Sequence, residues 1–389
     1  MKLGLENIRK LLHALGDPQN NYLKVQVAGT NGKGSVCAFL DSICGESLIN
    51  RGVCTSPHLV SITERIRING ADISEKDFSR HATQVRLVAE NLLADGILEY
   101  MPTFFEQVTA IALFAFAEAE VDLAILETGL GGRLDATTAA GAGIAAITQI
   151  DIDHQEYLGE AIAQIAGEKA AIIHSGSKVV LGEQSPEVMK ILLDRCLEVG
   201  AVPITGKTEA IEPTVLGLNG RHQIENANIA KALAQILNTS FPISEQHIAD
   251  GLKNARHPGR LEFSGRYLFD GAHNAAGARA LRGFLDESVT QPITLIFGAM
   301  KGKDVSEIAN ALFPKARHLI LTRPANSRAM LPKEIVMLIQ PNFNRENLSL
   351  TGTAAEAMAK ANEKTSDDGI ILVTGSLYLV GEVKKILNN

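Results

Sequence analysis

Val27-Ala-Gly-Thr-Asn-Gly-Lys-Gly-Ser35 lies between a short apolar run and an amphipathic stretch, and its reading decides the fold. Upstream, Leu23, Val25 and Val27 alternate with Lys24 and Gln26, the pattern of a strand with one face covered. Downstream, Val36, Phe39, Leu40, Ile43 and Cys44 recur at helical spacing, a stripe that packs a helix onto a sheet. A strand feeding a glycine-rich turn that opens a helix aims backbone N–H groups and the positive helix end at one point, which suits a polyphosphate. Gly29, Gly32 and Gly34 let the backbone come close, Lys33 supplies a point charge, and Ser35 brings a hydroxyl within reach of a phosphate or its Mg²⁺. The strict G-x-x-x-x-G-K-[ST] spacing is not met, because the chain reads G-x-x-G-K-G-S. The competing reading is an ordinary Gly-rich turn, and the strand and helix on either side argue against it.

The rest of the chain bounds what such a loop serves. Its 389 residues suggest two domains, and 46% hydrophobic with 21% charged residues fits a soluble globular protein with large cores. A net charge of −7 argues against a general binder of nucleic acid or anionic membranes, which needs a basic surface. Apolar runs such as 111–117 are too short to span a bilayer, and residues 1–16 read as an amphipathic helix carrying Ile8, Leu11, Leu12 and Leu15. The expected location is therefore the cytoplasm. Cys37, Cys44, Cys54 and Cys196 form no C-x-x-C pair and are expected as buried, reduced thiols.

Residues 121–126 form a nearly continuous apolar run, the mark of a parallel strand covered on both faces, and end in Glu127-Thr-Gly-Leu-Gly-Gly-Arg-Leu-Asp135. Ligands of open parallel sheets bind outside the carboxyl ends of strands. Glu127 is thus placed either to hold Mg²⁺ or to serve as a capping or ion-paired carboxylate. The next strand, 143–150, ends in Asp151-Ile-Asp-His154, a cluster that favours a metal or nucleotide role. In the helix expected over 160–173, Ile162, Ile165, Ala166, Lys169 and Ile173 share one stripe, which turns Lys169 inward. A buried ammonium is costly unless paired or neutralised. Pairing with Glu127 or Asp151 and chemical modification both remain open.

Arg65 and Arg67, two apart, share a face if extended, facing either an anionic substrate or solvent. Ser74 with Asp77, and Thr103-Phe-Phe-Glu106, open two helices, the second very apolar and running to Ala119. A further strand is expected over 178–183. Gln223 and Asn226 lie on one face of a helix start, either reading a nucleobase edge or serving as polar first-turn residues.

Ala255-Arg-His-Pro-Gly-Arg260 has the composition of a linker, which sets domains at 1–256 and 257–389. Beyond it, strands at 267–269, 293–297, 318–322 and 370–374 each precede a helical stretch. Asp270, His273, Asn274, Lys301, Lys303, Asp304 and Ser376 follow those strands, a second set of strand-end ligands that implies a site between the domains. The expected fold is α/β: an N-terminal P-loop domain with a mostly parallel sheet, then a smaller C-terminal Rossmann-like α/β domain.

With these segments in order, the chain resembles the folylpolyglutamate synthase and dihydrofolate synthase family, relatives of the Mur ligases. The resemblance spans nearly the whole length. It rests on the loop at 27–35, Thr55-Ser-Pro-His-Leu59, Glu64-Arg-Ile-Arg-Ile-Asn-Gly70, Thr103-Phe-Phe-Glu106, the segment from Glu127 to Thr137, Ile152-Asp-His154, Glu168-Lys-Ala170, His222-Gln with Asn226, Pro258-Gly-Arg260, Asp270-Gly-Ala-His-Asn274 and Thr374-Gly-Ser376. It implies that Gly29, Thr30, Asn31, Gly32, Lys33, Gly34 and Ser35 bind ATP phosphates, and that Ser56, Glu127 and His154 bind Mg²⁺. The lysine at the place of Lys169 is carbamylated in the family, which would turn a buried cation into an anion facing the metal. Asn226, Arg260, Asp270 and His273 match the family's nucleotide contacts.

Lys33, Lys169 and His154 are the expected catalytic residues. The implied reaction is ADP-forming ligation: phosphate is transferred to a substrate carboxylate, and the amine of L-glutamate attacks the acyl phosphate. Dihydropteroate and a reduced folate are the candidate acceptors, and both are expected to be used by a monomeric enzyme. The alternatives are a monofunctional folylpolyglutamate synthase, another Mur-type ligase, or a P-loop GTP-binding switch, which would carry an Asn-Lys-x-Asp motif this chain lacks. His257, Thr138 and Ala171 stand where the family often has Trp, Asn and Gly. None of the three replaces a phosphate or metal ligand.

Overall fold

The computed structural model describes residues 4–205, 211–339 and 343–388. The chain divides into two compact units, Met1–Gly217 with Gln223–Arg256, and Leu218–His222 with His257–Asn389. The short segment Leu218–His222 groups with the second unit although it precedes the linker.

The first unit contains, in chain order, α1 (Glu6–Ala14), β1 (Leu23–Ala28), α2 (Lys33–Glu46), β2 (Arg51–Cys54), β3 (Ile66–Ile68), β4 (Ala71–Asp72), α3 (Glu75–Ala94), α4 (Phe104–Glu118), β5 (Leu123–Glu127), β6 (Ile144–Ile147), α5 (Gln155–Leu158), α6 (Ile162–Ala170), β7 (Lys178–Leu181), α7 (Pro186–Val199) and β8 (Val202–Thr205). It closes with α8 (His222–Leu237) and α9 (Glu245–Asn254). Among the described residues these strands form one eight-stranded sheet in the order β4-β3-β2-β5-β1-β6-β7-β8. Only β3 and β4 run antiparallel to their neighbours.

Local sequence explains the elements that frame the site. Ile8, Leu11 and Leu12 of α1 are fully buried, as are Val36, Phe39, Leu40, Ile43 and Cys44 of α2. Ser74 caps α3 by accepting from Asp77 N–H, and Thr103 and Glu106 close a capping box on α4. All four cysteines are buried and free. No helix among the described residues is long and apolar enough to cross a membrane.

β1 departs from the expected one-sided strand. It lies between β5 and β6, with Val27 opposite Glu127 and Ala28 opposite Ile147, so both of its edges are paired, and the burial of Val25, Gln26 and Val27 shows both faces covered as well. Its alternating polar residue Gln26 is fully buried, while Leu23 at the start of the strand is exposed. The expected strand over 178–183 stops at Leu181, because the Glu183 amide turns away to donate to the Glu225 carboxylate at 2.6 Å.

The second unit runs β9 (Glu262–Ser264), β10 (Tyr267–Phe269), α10 (Ala275–Ser288), β11 (Ile293–Phe297), α11 (Val305–Leu312), β12 (Ala316–Leu321), α12 (Pro332–Val336), β13 (Leu348–Leu350), α13 (Ala354–Lys364), β14 (Ile370–Thr374) and α14 (Leu377–Leu387). Its sheet has the order β13-β12-β11-β14-β10-β9, parallel except for the antiparallel edge β9. The edge strands β9 and β13 are absent from the sequence reading. Three residues each are too few to show a period.

Candidate functional site

The register of β1 brings three strand ends together: the loop after β1, Glu127 at the end of β5, and the segment after β6. The loop is stitched to that last segment. Thr30 and Asn31 donate their amides to the Gln149 carbonyl at 2.8 and 3.4 Å, and Thr30 Oγ1 donates to the Asp151 carbonyl at 2.9 Å. Two of the amides that the sequence reading aimed at a phosphate are therefore committed to the protein. The positive end of α2 is presented by Lys33, Gly34 and Ser35, its first turn.

Gly29 and Gly32 have φ of +148° and +89°, and a side chain on either would collide, with the Thr148 hydroxyl and the Asn226 amide oxygen respectively. The loop is thus a backbone cradle that only glycine permits at these two points.

Lys33 Nζ donates to the carbonyls of Gly29 and Thr30, both at 3.0 Å. Lys169 is 5% exposed on α6, and its Nζ donates to the same Gly29 carbonyl at 2.8 Å. The inward position read from the helical stripe is therefore correct, but the partner is neither Glu127 nor Asp151. Among the described residues Lys169 makes no ion pair. Burial, reinforced by the Lys33 charge, lowers its pKa to about 7. A carbonyl carries only a partial charge, so this bond alone does not offset the cost of holding a charged amine at such a buried position.

Glu127 is 7% exposed, and its Oε2 accepts the Ser56 amide at 3.0 Å, which holds the Ser56 backbone beside the carboxylate. The glycine-rich segment that follows is tied down by a residue the sequence reading passed over as a ligand. Asp135, fully enclosed, accepts the amides of Gly129 and Leu130 on Oδ2 at 3.0 and 2.9 Å, and the amide and hydroxyl of Thr137 on Oδ1 at 3.0 and 2.5 Å. Burial raises its pKa against the pull of those bonds. Beneath it, Gln26 Nε2 lies 3.1, 2.9 and 2.9 Å from the hydroxyls of Thr128, Thr137 and Thr138, its two N–H groups shared among the three oxygens. Thr138 in turn donates to the Gly132 carbonyl at 2.7 Å, so the threonine in place of the family's asparagine still anchors the loop.

His154 is exposed, sits in the left-handed region at φ +53°, and precedes α5; its Nε2 is 3.9 Å from Asp153 Oδ2. Gln223 and Asn226 on α8 are 1% and 6% exposed. They face α2 and its loop: Asn226 Nδ2 donates to Gln223 Oε1 at 2.9 Å, and Gln223 Nε2 donates to Ser35 Oγ at 3.3 Å. Arg65 and Arg67 engage different partners. Arg65 ends a 3₁₀ turn opened by a Ser61–Glu64 capping box, where its Nε donates to His58 Nδ1 at 2.9 Å and its guanidinium lies 5.4 Å from the Phe104 ring centre. Arg67 pairs instead with Asp41 and Asp72.

In the second unit, Arg260, Asp270 and His273 gather at the carboxyl end of β10. Asp270 accepts the Leu261 amide at 3.0 Å and the Ala272 amide at 2.9 Å, and burial raises its pKa while Arg260 opposes the shift. The Arg260 guanidinium lies against Gly271, and the His273 ring bonds the Gly271 carbonyl through Nδ1 at 2.8 Å. Asn274, Asp304 and Ser376, which follow the strands, serve as helix N-caps.

A parallel sheet whose central strand opens a helix through a glycine cradle, with a carboxylate at the adjacent strand end and a second Rossmann-like unit, defines a P-loop α/β protein. A family profile described as the C-terminal domain of dihydrofolate synthetase matches residues 260–387. A Bacillus subtilis dihydrofolate synthase/folylpolyglutamate synthase is 32% identical, covering 100% of this chain and 95% of that one. A Haloferax volcanii protein, named a probable bifunctional folylpolyglutamate synthase/dihydropteroate synthase, is 34% identical over 99% of this chain but 48% of its own length. The chain thus spans about half the length of the haloarchaeal relatives it matches. Among solved structures, Mycobacterium tuberculosis folylpolyglutamate synthase complexed with ADP and AMPPCP superposes with a TM-score of 0.91 at 30% identity, covering 99% of this chain and 96% of that one. The chain belongs to the folylpolyglutamate synthase/dihydrofolate synthase family.

Proposed function

We propose that the chain is an ATP-dependent ligase that adds L-glutamate to folate-type carboxylates, acting both as dihydrofolate synthase and as folylpolyglutamate synthase. The observation that carries this reading is the glycine cradle itself, with Lys33 Nζ and Lys169 Nζ both directed at the Gly29 carbonyl. The double name of the Bacillus relative and the ADP in the Mycobacterium structure support it.

The residues fit magnesium with a nucleotide. Mg²⁺ usually takes one or two carboxylates, keeps several waters and shares phosphate oxygens. Glu127 with the adjoining Ser56 offers such a partial set, and among the described residues no three His, Cys, Asp or Glu side chains form a closed cage. Glu127, Ser56 and His154 would hold the ion. Gly32, Lys33, Gly34 and Ser35, where α2 opens, would hold the phosphates; Gly29, Thr30 and Asn31, with two amides committed to Gln149, would shape the loop, with Asn226 against it. Arg260, Asp270 and His273 would contact the nucleotide from the domain at 257–389. Lys169, buried beside a second lysine, would carry a carbamate directed at the ion.

Bound ATP and Mg²⁺ supply the phosphoryl group that turns an unreactive carboxylate into an acyl phosphate, open to the amine of glutamate. Lys33 offsets the charge that gathers on the transferring group, and the rigid loop fixes its position without reorganisation.

The deciding experiment gives the purified chain ATP, Mg²⁺ and L-glutamate, with dihydropteroate or tetrahydrofolate offered separately, and reads product masses. Mass gains of one glutamate in both arms are the expected outcome. A gain with tetrahydrofolate alone would leave a monofunctional folylpolyglutamate synthase, and no product with either acceptor would remove the folate assignment.

A further inference from the structure

Gln223 has no part in the scheme above, yet it is among the most enclosed polar side chains near the loop, at 1% exposure. It stands in the first turn of α8, where a glutamine ordinarily faces water or caps its own helix. Here it reaches 188 positions back in sequence to the α2 helix.

Two of its bonds run in one direction. Asn226 Nδ2 donates to Gln223 Oε1 at 2.9 Å, and Gln223 Nε2 donates to Ser35 Oγ at 3.3 Å. An amide has distinct donor and acceptor ends, so each bond fixes the orientation of the next group. With its nitrogen engaged by Gln223, Asn226 turns its oxygen toward the loop, where it lies against the Cα side of Gly32. Ser35, accepting at Oγ, has its hydroxyl proton directed away from Gln223.

We propose that Gln223 is a positioning residue for nucleotide binding: it selects which end of the Asn226 amide meets the glycine cradle and sets the Ser35 hydroxyl as a donor. This rests on the nucleotide reading of the loop. Two substitutions separate the role from plain packing. Gln223→Met keeps the volume and removes both bonds. Gln223→Glu keeps the acceptor for Asn226, removes the donor to Ser35 and adds a negative charge behind the phosphate loop.

The test measures the dissociation constant of Mg·ATP by calorimetry on the full chain, with the melting temperature of the nucleotide-free protein and the KM for glutamate alongside. Loss of one or two buried hydrogen bonds predicts roughly five- to thirtyfold weaker ATP binding in Gln223→Met. Gln223→Glu should lose at least as much, and KM for glutamate should stay unchanged in both. Adding Ser35→Ala to Gln223→Met should cost less than the two single effects combined, because they break one shared bond. ATP affinity within twofold of wild type in both variants, with or without a lowered melting temperature, would overturn the positioning role. Wild-type protein that binds no Mg·ATP would overturn the nucleotide reading itself, and this inference with it.

Discussion

Replacing Asp135 with asparagine tests whether one buried carboxylate holds the segment that follows Glu127. Its two oxygens accept four donors: the Gly129 and Leu130 amides on one, and the amide and hydroxyl of Thr137 on the other. An asparagine keeps only one oxygen, so whichever way it turns, an NH₂ group faces two donors. Hydrogen bonds to a charged acceptor contribute about 1.5–3 kcal/mol each, so losing two costs about 3–6 kcal/mol. Part is returned because a buried charge is removed, the same desolvation that raises the Asp135 pKa. The net expectation is a local loss of about 2–4 kcal/mol. Amide hydrogen exchange reads this directly. At tenfold per 1.4 kcal/mol, the Gly129 and Leu130 amides should exchange roughly 30- to 1,000-fold faster in Asp135→Asn. Amides of β14, in the other unit, serve as the unaffected reference. A weaker ATP affinity should accompany the change, because Glu127 and Ser56 adjoin the loosened segment. Unchanged exchange at Gly129 and Leu130 would refute the view that Asp135 organises this loop.

Other outcomes follow from the same geometry. Lys33→Ala should abolish ligation with either acceptor while leaving the far-ultraviolet circular dichroism unchanged, and retained turnover would show that the loop has been misread. Gly29→Ala places a methyl group into the Thr148 hydroxyl and should weaken ATP binding by at least tenfold, measured by calorimetry. Burial raises the thiols of Cys44 and Cys54 to about 12, so the reactive thiolate is scarce below that pH. At pH 8 these two should resist a disulfide reagent for as long as the chain stays folded, and react within minutes in denaturant.

Much of this was legible because open parallel sheets expose their chemistry at strand ends. The loop at 27–35, Glu127, Asp270 and the inward turn of Lys169 are all one-dimensional signals: a glycine run, a buried run that stops at a carboxylate, a lysine on an apolar stripe. What stayed hidden depends on which strands become neighbours. Gln26 looks like the solvent side of an alternating strand, and only the placement of β1 between β5 and β6 turns it inward onto three threonine hydroxyls. Arg65 was misplaced for a more local reason. Ser61-Ile-Thr-Glu64 is a capping-box pattern, and reading it would have replaced the start of an extended run with the 3₁₀ turn that ends at Arg65.

Lys169 marks the boundary between the two kinds of information. Sequence shows an ammonium where one is costly, and cost implies either a compensating partner, with Glu127 and Asp151 the candidates, or chemical modification. The partner is instead a backbone carbonyl, which no sequence pattern distinguishes, and it is shared with Lys33. That sharing changes what the anomaly means. A lysine neutralised by a carboxylate would be a closed structural pair, whereas an amine held by a carbonyl, its pKa lowered to about 7 by burial, is in good part uncharged near neutral pH, the form that carbamylation requires. A carbamate there would be an anion held in place by helix α6, beside a Lys33 side chain already held by the loop, so neither group would need to rearrange when the ion and the phosphates arrive.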